Sequence, residues 1–253
     1  PADDGISALA STISNLPTRH GRLGMPLGPE SLLRMPAGDA KKLADAIPHE
    51  VVDCAEMLLR QRFVKSPAEI EKIRRACQIT SDAFEALPTH SRIGDSEIDI
   101  TRRMRIDLLE RGADSTPFMV AGSGTGGYDS IIMGPTQRQL QSGDILIIDT
   151  GTVFDGYFCD FDRNFGFGHV ADDARRANTA VHQALDAGFE AARPGARMCE
   201  VWSAMSRVME EFGSLGNSIG RMGHGLGMLL TEWPSVHPDD QNILEPGVVM
   251  TLE

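Results

Sequence analysis

The chain has 253 residues, 41% of them hydrophobic and 24% charged, a globular composition that excludes a disordered or low-complexity polypeptide. Lys and Arg total 24 against 36 Asp and Glu, for a net charge of -12. That balance argues against nucleic acid as the main partner, because no broad basic surface is available to phosphates. The longest apolar runs, such as Ile145-Leu146-Ile147-Ile148, fall far short of the roughly 20 residues a membrane helix needs. Cys54, Cys77, Cys159 and Cys199 form no CxxC pair, so reduced thiols are expected, not a zinc knuckle or a disulfide framework. Without a charged-then-apolar leader after Pro1, the expectation is a cytoplasmic protein with no membrane segment.

In chain order, residues 1–64 read as an α/β piece punctuated by Gly21, Gly24, Pro26, Gly28 and Pro29, with short helices near 39–46 and 53–62. This is thin for an independent domain and reads as the tail of one begun upstream. The texture changes at Lys65-Ser66-Pro67-Ala68-Glu69, where a Ser cap, a Pro at the first helical position and a Glu three residues after the cap make a capping box. Ile70, Ile73, Cys77, Thr80, Phe84 and Leu87 then recur at helical spacing. A second helix fits 95–111 and stops at Gly112. Strands follow at 118–121, 145–149 and 157–161, helices at 172–192 and 198–212, and a last strand at 248–253. Asp82–Ala86 resembles Asp186–Ala191, and Gly112 matches Gly216 at an offset of 104. Such a repeat implies a duplicated α+β half with a pseudo-twofold, a fold in which sites often lie between the halves.

Residues 143–168 carry most of the chemistry. Asp155-Gly156 between apolar strands predicts a two-residue type I′ hairpin, which needs positive φ at both turn positions. Pairing Phe154 with Tyr157 sets Asp149 opposite Asp162 and Gly151 opposite Asp160, so Asp149, Asp160 and Asp162 share one face. A single Asp closing a strand is usually a turn former. Three carboxylates on one apolar hairpin repel unless protons or cations intervene, and one or two divalent cations are the simplest neutraliser. The second signal is Gly223-His224-Gly225-Leu226-Gly227, in which glycines on both sides leave the imidazole accessible. Glu232 follows it, and the last strand delivers Glu253.

Asp149 with Asp160 eleven residues on, then GHGLG, then LEPGVVMTLE, resembles the pita-bread metallopeptidase family of methionine aminopeptidase, aminopeptidase P, prolidase and the non-peptidase creatinase. KSPAEIEKIRRA is similar to the entry into the catalytic domain of the aminopeptidase P, prolidase and creatinase branch. The resemblance implies a pita-bread fold over 65–253, ending short of the family's last strand, with 1–64 as part of the smaller amino-terminal α/β domain. It further implies that Asp149, Asp160, His224 and Glu253 match four of five ligands for two divalent metals (manganese, cobalt, zinc or iron) around a bridging hydroxide, Asp160 in the bridging position. The fifth ligand is a Glu on a strand beyond Glu253. Two such metals activate water at neutral pH and polarise a substrate carbonyl. Members of this branch are often dimers, so a homodimer is among the expected assemblies.

Departures from the family pattern shape the expected activity. The peptidases place a histidine where this chain has Ile132 and another where it has Thr231; those side chains orient substrate and stabilise charge in the tetrahedral intermediate. Asp160-Phe161-Asp162-Arg163 replaces an Asp-x-Thr-Arg pattern, which makes Asp162 a proton acceptor or extra ligand. Asp162 and Thr231 are thus the catalytic candidates; Tyr128, Asp129 and Glu232 are the substrate-contact candidates. The stretch Gly122–Gly127 matches GxGxxG, but no helical pattern opens from it, so it does not read as a dinucleotide site; the family resemblance implies instead a loop bordering the substrate pocket. The expected function is metal-dependent hydrolysis of a small peptide, Xaa-Pro-like. The alternatives are a creatinase-like or lyase-like reaction on a small zwitterion, and a non-catalytic binding protein.

Overall fold

The computed structural model of the chain describes residues 3–130, 133–214 and 220–253; Ile132 and Gly216 lie outside them. The chain divides into two compact units, Pro1–Arg62 and Phe63–Glu253. In the first, α1 (Ile6–Ser14), β1 (Arg22–Met25), α2 (Ala37–Ala46), β2 (Glu50–Asp53) and α3 (Ala55–Phe63) follow in order. β1 and β2 pair in parallel from Arg22↔Glu50 to Met25↔Asp53, as a βαβ connection requires. Ala10, Leu43 and Ile47 form the core of this unit. Asp53 closes it locally, since its Oδ1 accepts from the backbone of Leu27, Gly28 and Ala55.

In the second unit the capping box forms as expected and opens α4 (Pro67–His90). Ser66 Oγ accepts from Glu69 N, and Glu69 Oε2 accepts from Ser66 N at 2.7 Å; such a cap contributes about 1 kcal/mol. Antiparallel α5 (Glu97–Glu110) starts at Ser96, whose side chain accepts from Asp99 N. It ends at Arg111 and Gly112, with Gly112 at φ 103. Ile73, Ile79, Ala83, Phe84 and Leu87 of α4 and Ile100, Met104 and Leu108 of α5 are buried. Most of this stripe packs on Met119, Ala121, Leu146 and Ile148 of the sheet behind.

That sheet is β3 (Ser115–Thr125), β4 (Asp144–Phe154) and β5 (Tyr157–Gly166), antiparallel in the order β3-β4-β5. The hairpin has the register expected from its turn: Phe154↔Tyr157, Gly151↔Asp160 and Asp149↔Asp162, with Asp155 at φ 47 and Gly156 at φ 80. One expectation fails here. Gly122–Thr125 are not a loop but the end of β3, paired with Ile147–Asp144. Glycine is required at Gly124 because a Cβ there would collide with the Gly127 carbonyl as the chain turns back. Among the described residues, the element that follows β3 is β4.

A buried network pins the connection from β3 to β4. Glu97 Oε2 accepts from Thr136 N and Oγ1, both at 2.8 Å, and its Oε1 accepts from Ser123 Oγ. Arg138 donates to Ser123 and, through both Nη atoms, to the fully buried Asp144 at 2.6 and 2.9 Å. The Arg138 guanidinium holds the Asp144 carboxyl below the usual carboxylate range.

The second half repeats the pattern with α6 (Asp172–Ala191) and α7 (Met198–Glu211), followed by the short strands β6 (His224–Gly225) and β7 (Glu232–Ser235). α5 and α7 are both 14 residues long and begin at 97 and 198. The helices therefore repeat at an offset of 101, three short of that drawn from the glycines. Ala184, Met198, Val201, Met205, Met222, Val236 and Leu244 form a separate core for this half.

The strand expected at 248–253 is only partly realised. Its backbone bonds to the His224 segment at Leu226 N→Val249 O, Thr251 N→His224 O and Glu253 N→Met222 O. Apart from these, it makes isolated bridges, Val64↔Val248 and Gly225↔Met250, and no continuous ladder. Extended residues with one intermittent partner lack the paired hydrogen bonds that define a strand.

Candidate metal centre

Two structural devices bring acidic and imidazole groups together. The first is the β4–β5 hairpin, whose period-two geometry puts Asp149, Asp160 and Asp162 on one face. The second is the crossing of β6 with residues 249–253. Phe158 N donates to the Gly227 carbonyl at 2.8 Å, tying the glycine segment to β5. Close backbone approach explains the glycines on either side of His224: a Cβ on Gly225 would strike the Trp233 carbonyl and one on Gly223 the Thr251 carbonyl.

The result is a tight cluster. His224 Nε2 lies 3.3 Å from Asp160 Oδ2 and 3.3 Å from Glu253 Oε1, and one ligand atom from each of the three lies within 4.8 Å of the others. The other imidazole nitrogen, Nδ1, is 2.9 Å from the Gly225 carbonyl. A carbonyl can only accept, so Nδ1 carries a proton, and deprotonation of the ring leaves Nε2 as the nitrogen that could bind a cation held between it and the carboxylates. Thr251 steadies both partners: its hydroxyl donates to Glu253 Oε1 at 2.7 Å and accepts from His224 N at 3.0 Å.

Electrostatics report the same crowding. Loss of solvation, then the charges of Asp160, Asp162 and Glu253, push the Asp149 carboxyl up to about 8. Partial desolvation also raises Asp162, although its residue keeps an exposed surface and Arg163 opposes the shift. For His224, burial disfavours the charged ring, but the Asp160 contact, the Gly225 carbonyl and Glu253 outweigh it and the pKa rises. All three shifts favour protons where negative charge has converged. A divalent cation would replace those protons, and the oxygen-rich set with one correctly oriented imidazole fits such an ion.

These groups open on a cavity of about 870 Å³. Asp149, Asp160, Asp162 and Glu253 line it, with apolar walls from residues such as Leu185, Met205 and Leu252. Other sequence-derived candidates fall elsewhere. Tyr128 does not line the cavity; its hydroxyl donates to Asn164 Oδ1, two residues from Asp162. Asp129 is exposed and also outside the lining. Thr231 is half-buried and accepts from Arg221 Nη2 at 3.3 Å.

Glu232 requires a correction. Its side chain is 2% exposed and pairs with the equally buried Lys65 at 3.2 Å, while its Oε1 accepts from Leu229 N. Burial turns it into a support beneath the glycine segment, away from the cavity. Sequence reading missed Lys65 as its partner because 167 residues separate the two. It also missed Thr251, although two-residue spacing from Glu253 was a usable signal.

A family model described as metallopeptidase family M24 matches residues 71–253. The chain belongs to the metallopeptidase family M24. It is 29% identical over 231 residues to a probable dipeptidase, PepE, of Mycobacterium tuberculosis, covering 91% of this chain and 61% of that protein. It is 32% identical over 207 residues to the uncharacterized peptidase YqhT of Bacillus subtilis, covering 81% and 58%. The chain thus spans about three fifths of the length of these curated relatives.

Among solved structures, the prolidase from Pyrococcus furiosus matches with a TM-score of 0.85 at 22% identity, over 97% of this chain and 70% of that one. The X-Pro aminopeptidase from Thermotoga maritima matches at 0.83 and 22%, over 98% and 68%. These likenesses establish the fold, and the expected pita-bread α+β architecture is the one the M24 chain has.

Proposed function

We propose that the chain carries the metal site of a hydrolase acting on small Xaa-Pro-like peptides. The observation that carries this is His224 Nε2 facing Asp160 and Glu253 at 3.3 Å, with Nδ1 committed to the Gly225 carbonyl. Asp149, Asp160, His224 and Glu253 would hold two divalent ions, with manganese as the proposed metal. Bound there, such ions supply an activated water at neutral pH and Lewis-acid polarisation of a carbonyl.

The chain's own residues do the rest. The Gly225 carbonyl and Thr251 hold His224 and Glu253 in place, and the apolar cavity walls exclude bulk water. Asp162, beside Asp149 and with its carboxyl shifted upward, is placed to accept or return a proton. The membership in M24 and the dipeptidase relatives support a small peptide as substrate. Residues 1–62 are proposed as part of the amino-terminal domain of this branch, and a homodimer as the assembly. Four free cysteines accord with a reducing cytoplasm. Among the described residues, no helix is long and apolar enough to cross a membrane.

Manganese-loaded full-length protein should hydrolyse alanyl-proline and leave creatine untouched. Cleavage of creatine alone would establish instead the creatinase-like reading, which Thr231 in place of the peptidases' histidine favours. Less than one equivalent of bound metal would remove both.

The metal reading also fixes a pH dependence. Without metal, the raised pKa of Asp149 contributes stability below its unfolded value near 4, lost as pH rises through about 8. The raised His224 acts in the same direction. Metal replaces those protons, so the rise in Tm on adding manganese should be larger at pH 8 than at pH 5. An equal or smaller rise at pH 8, measured by scanning calorimetry against a chelator control, would contradict it.

A further inference from the structure

Two of the four free cysteines lie together beside the metal cavity. Cys77 is half-buried and lines the cavity from α4, one turn after Ile73. Cys159 is fully buried on β5, and its sulfur lies within hydrogen-bonding reach of the Cys77 thiol. Thr80, three residues after Cys77 and so on the same helix face, completes the contact: its Oγ1 is 3.1 Å from Cys159 Sγ. Opposite Cys159 across the hairpin stands Thr152, fully buried, whose Oγ1 has no partner among the described residues. Nearby, the sheet packs on α4 and α5 through apolar side chains such as Leu146 and Ile148. Here two sulfurs and two hydroxyls meet instead. The other cysteines are placed elsewhere: Cys54 belongs to the first unit, and the Cys199 sulfur, on α7, accepts from Gln241 Nε2.

The position of the pair couples it to the metal cluster. Cys159 immediately precedes Asp160, and the pleat sends the two side chains to opposite faces, the sulfur toward α4 and the carboxylate toward His224. On the other side of Cys159, Phe158 N donates to the Gly227 carbonyl. A disulfide needs an S–S distance of about 2.05 Å, much shorter than a non-bonded contact between two sulfurs. Closing it draws the backbone at Cys159 toward α4, whereas metal–ligand distances tolerate an error of only about 0.2 Å. The Asp160 carboxylate is then pulled from its place beside His224 Nε2.

We propose that Cys77 and Cys159 form a redox modification site: a peroxide entering the cavity oxidises them to a disulfide, which weakens metal binding at Asp160 until a thiol reductant reverses it. The Cys77 sulfur attacks one peroxide oxygen and the O–O bond breaks. Cys77 becomes a sulfenic acid, and its thiol proton leaves with the second oxygen as water. Cys159 then attacks the Cys77 sulfur, the S–O bond breaks, and a second water carries away the Cys159 proton. The two thiols lose two electrons in all and the peroxide gains them. Transient disulfides of this kind suit a reducing compartment. The disulfide stands on the two sulfurs alone; its effect on metal rests on the proposed metal site.

The test oxidises metal-free full-length protein with hydrogen peroxide, removes the excess with catalase and then titrates manganese by calorimetry. Peptide mapping by mass spectrometry should find Cys77 linked to Cys159, with two thiols lost per chain. The Kd for manganese should rise by about 10- to 100-fold, and dithiothreitol should restore it. Cys77→Ala should bind manganese as reduced wild type does and keep that affinity after peroxide. If the alanine variant fails to fold, Cys77→Ser takes its place. A double variant, Cys54→Ser with Cys199→Ser, should still switch.

Absence of the link between Cys77 and Cys159 overturns the site, and so does an equal loss of affinity in the peroxide-treated Cys77 variant. A link that leaves the Kd unchanged overturns the coupling to metal. Reduced wild type that binds no manganese, yet forms the link reversibly, would remove the metal reading and leave the modification site standing.

Discussion

Asp160→Ala should strip the protein of its metal. Asp160 is one of two carboxylates 3.3 Å from His224 Nε2, paired with Gly151 across the hairpin and on the same face as Asp149. Removing partners that merely orient a ligand typically weakens metal affinity about 10- to 100-fold, so loss of a ligand should exceed about 100-fold. Two measurements check it: metal content after dialysis and the Kd by calorimetric titration. The variant should also lose the larger manganese-induced gain in Tm at alkaline pH. Its metal-free form should be more stable than metal-free wild type, because one of the charges that pushes up the Asp149 carboxyl has gone. Affinity and stability moving in opposite directions separates a ligand from an ordinary buried residue. Unchanged manganese content would refute the assigned cluster.

Breaking the Lys65–Glu232 pair should have the largest effect on stability. Both side chains are 2% exposed, and Gly227 leaves the space they occupy, since a Cβ there would lie 2.7 Å from Glu232 Oε2 and 3.0 Å from Lys65 Cε. Lys65→Met strands a buried carboxylate, at a cost of about 3–5 kcal/mol. Lys65→Met with Glu232→Leu should cost much less than the two single changes added together, because neither charge is then left unpaired. Urea unfolding of the four proteins reads this directly, and a strictly additive double variant would rule out the coupling. Glu232 Oε1 also holds Leu229 N, so the Glu232 variants should loosen the segment that follows His224 and weaken metal retention as well.

Much of the candidate site was legible before any coordinates. The hairpin register follows from one dipeptide, because Asp155-Gly156 accepts positive φ twice and the pleat has a period of two. That alone aligned Asp149, Asp160 and Asp162. The long helix was marked by its capping box and by apolar residues at helical spacing. Less was legible where partners are remote. The four-residue strands β1 and β2 are too short to show alternation, and their pairing comes from parallel contact 28 residues apart in register. The family resemblance implied a loop at Gly122–Thr125, yet pairing with the apolar β4 draws it into the sheet.

Glu232 shows the limit most plainly. An acid eight residues past the histidine of the candidate metal cluster resembles a pocket residue, and only the position of Lys65 turns it inward.

Composition and charge had argued against nucleic acid as the main partner and against a membrane helix; the resemblance to the metallopeptidase family supplied the four ligand candidates, and local patterns had aligned Asp149, Asp160 and Asp162 on one face. Those conclusions rest on short-range physics: turn dihedrals, pleat and helix period, caps. The tertiary structure decided which charges face the cavity and which are sealed beneath it, because burial and ion pairing depend on what the fold brings alongside. It therefore set Asp149, Asp160 and Glu253 along one cavity, with His224 against Asp160 and Glu253, and paired Glu232 with Lys65.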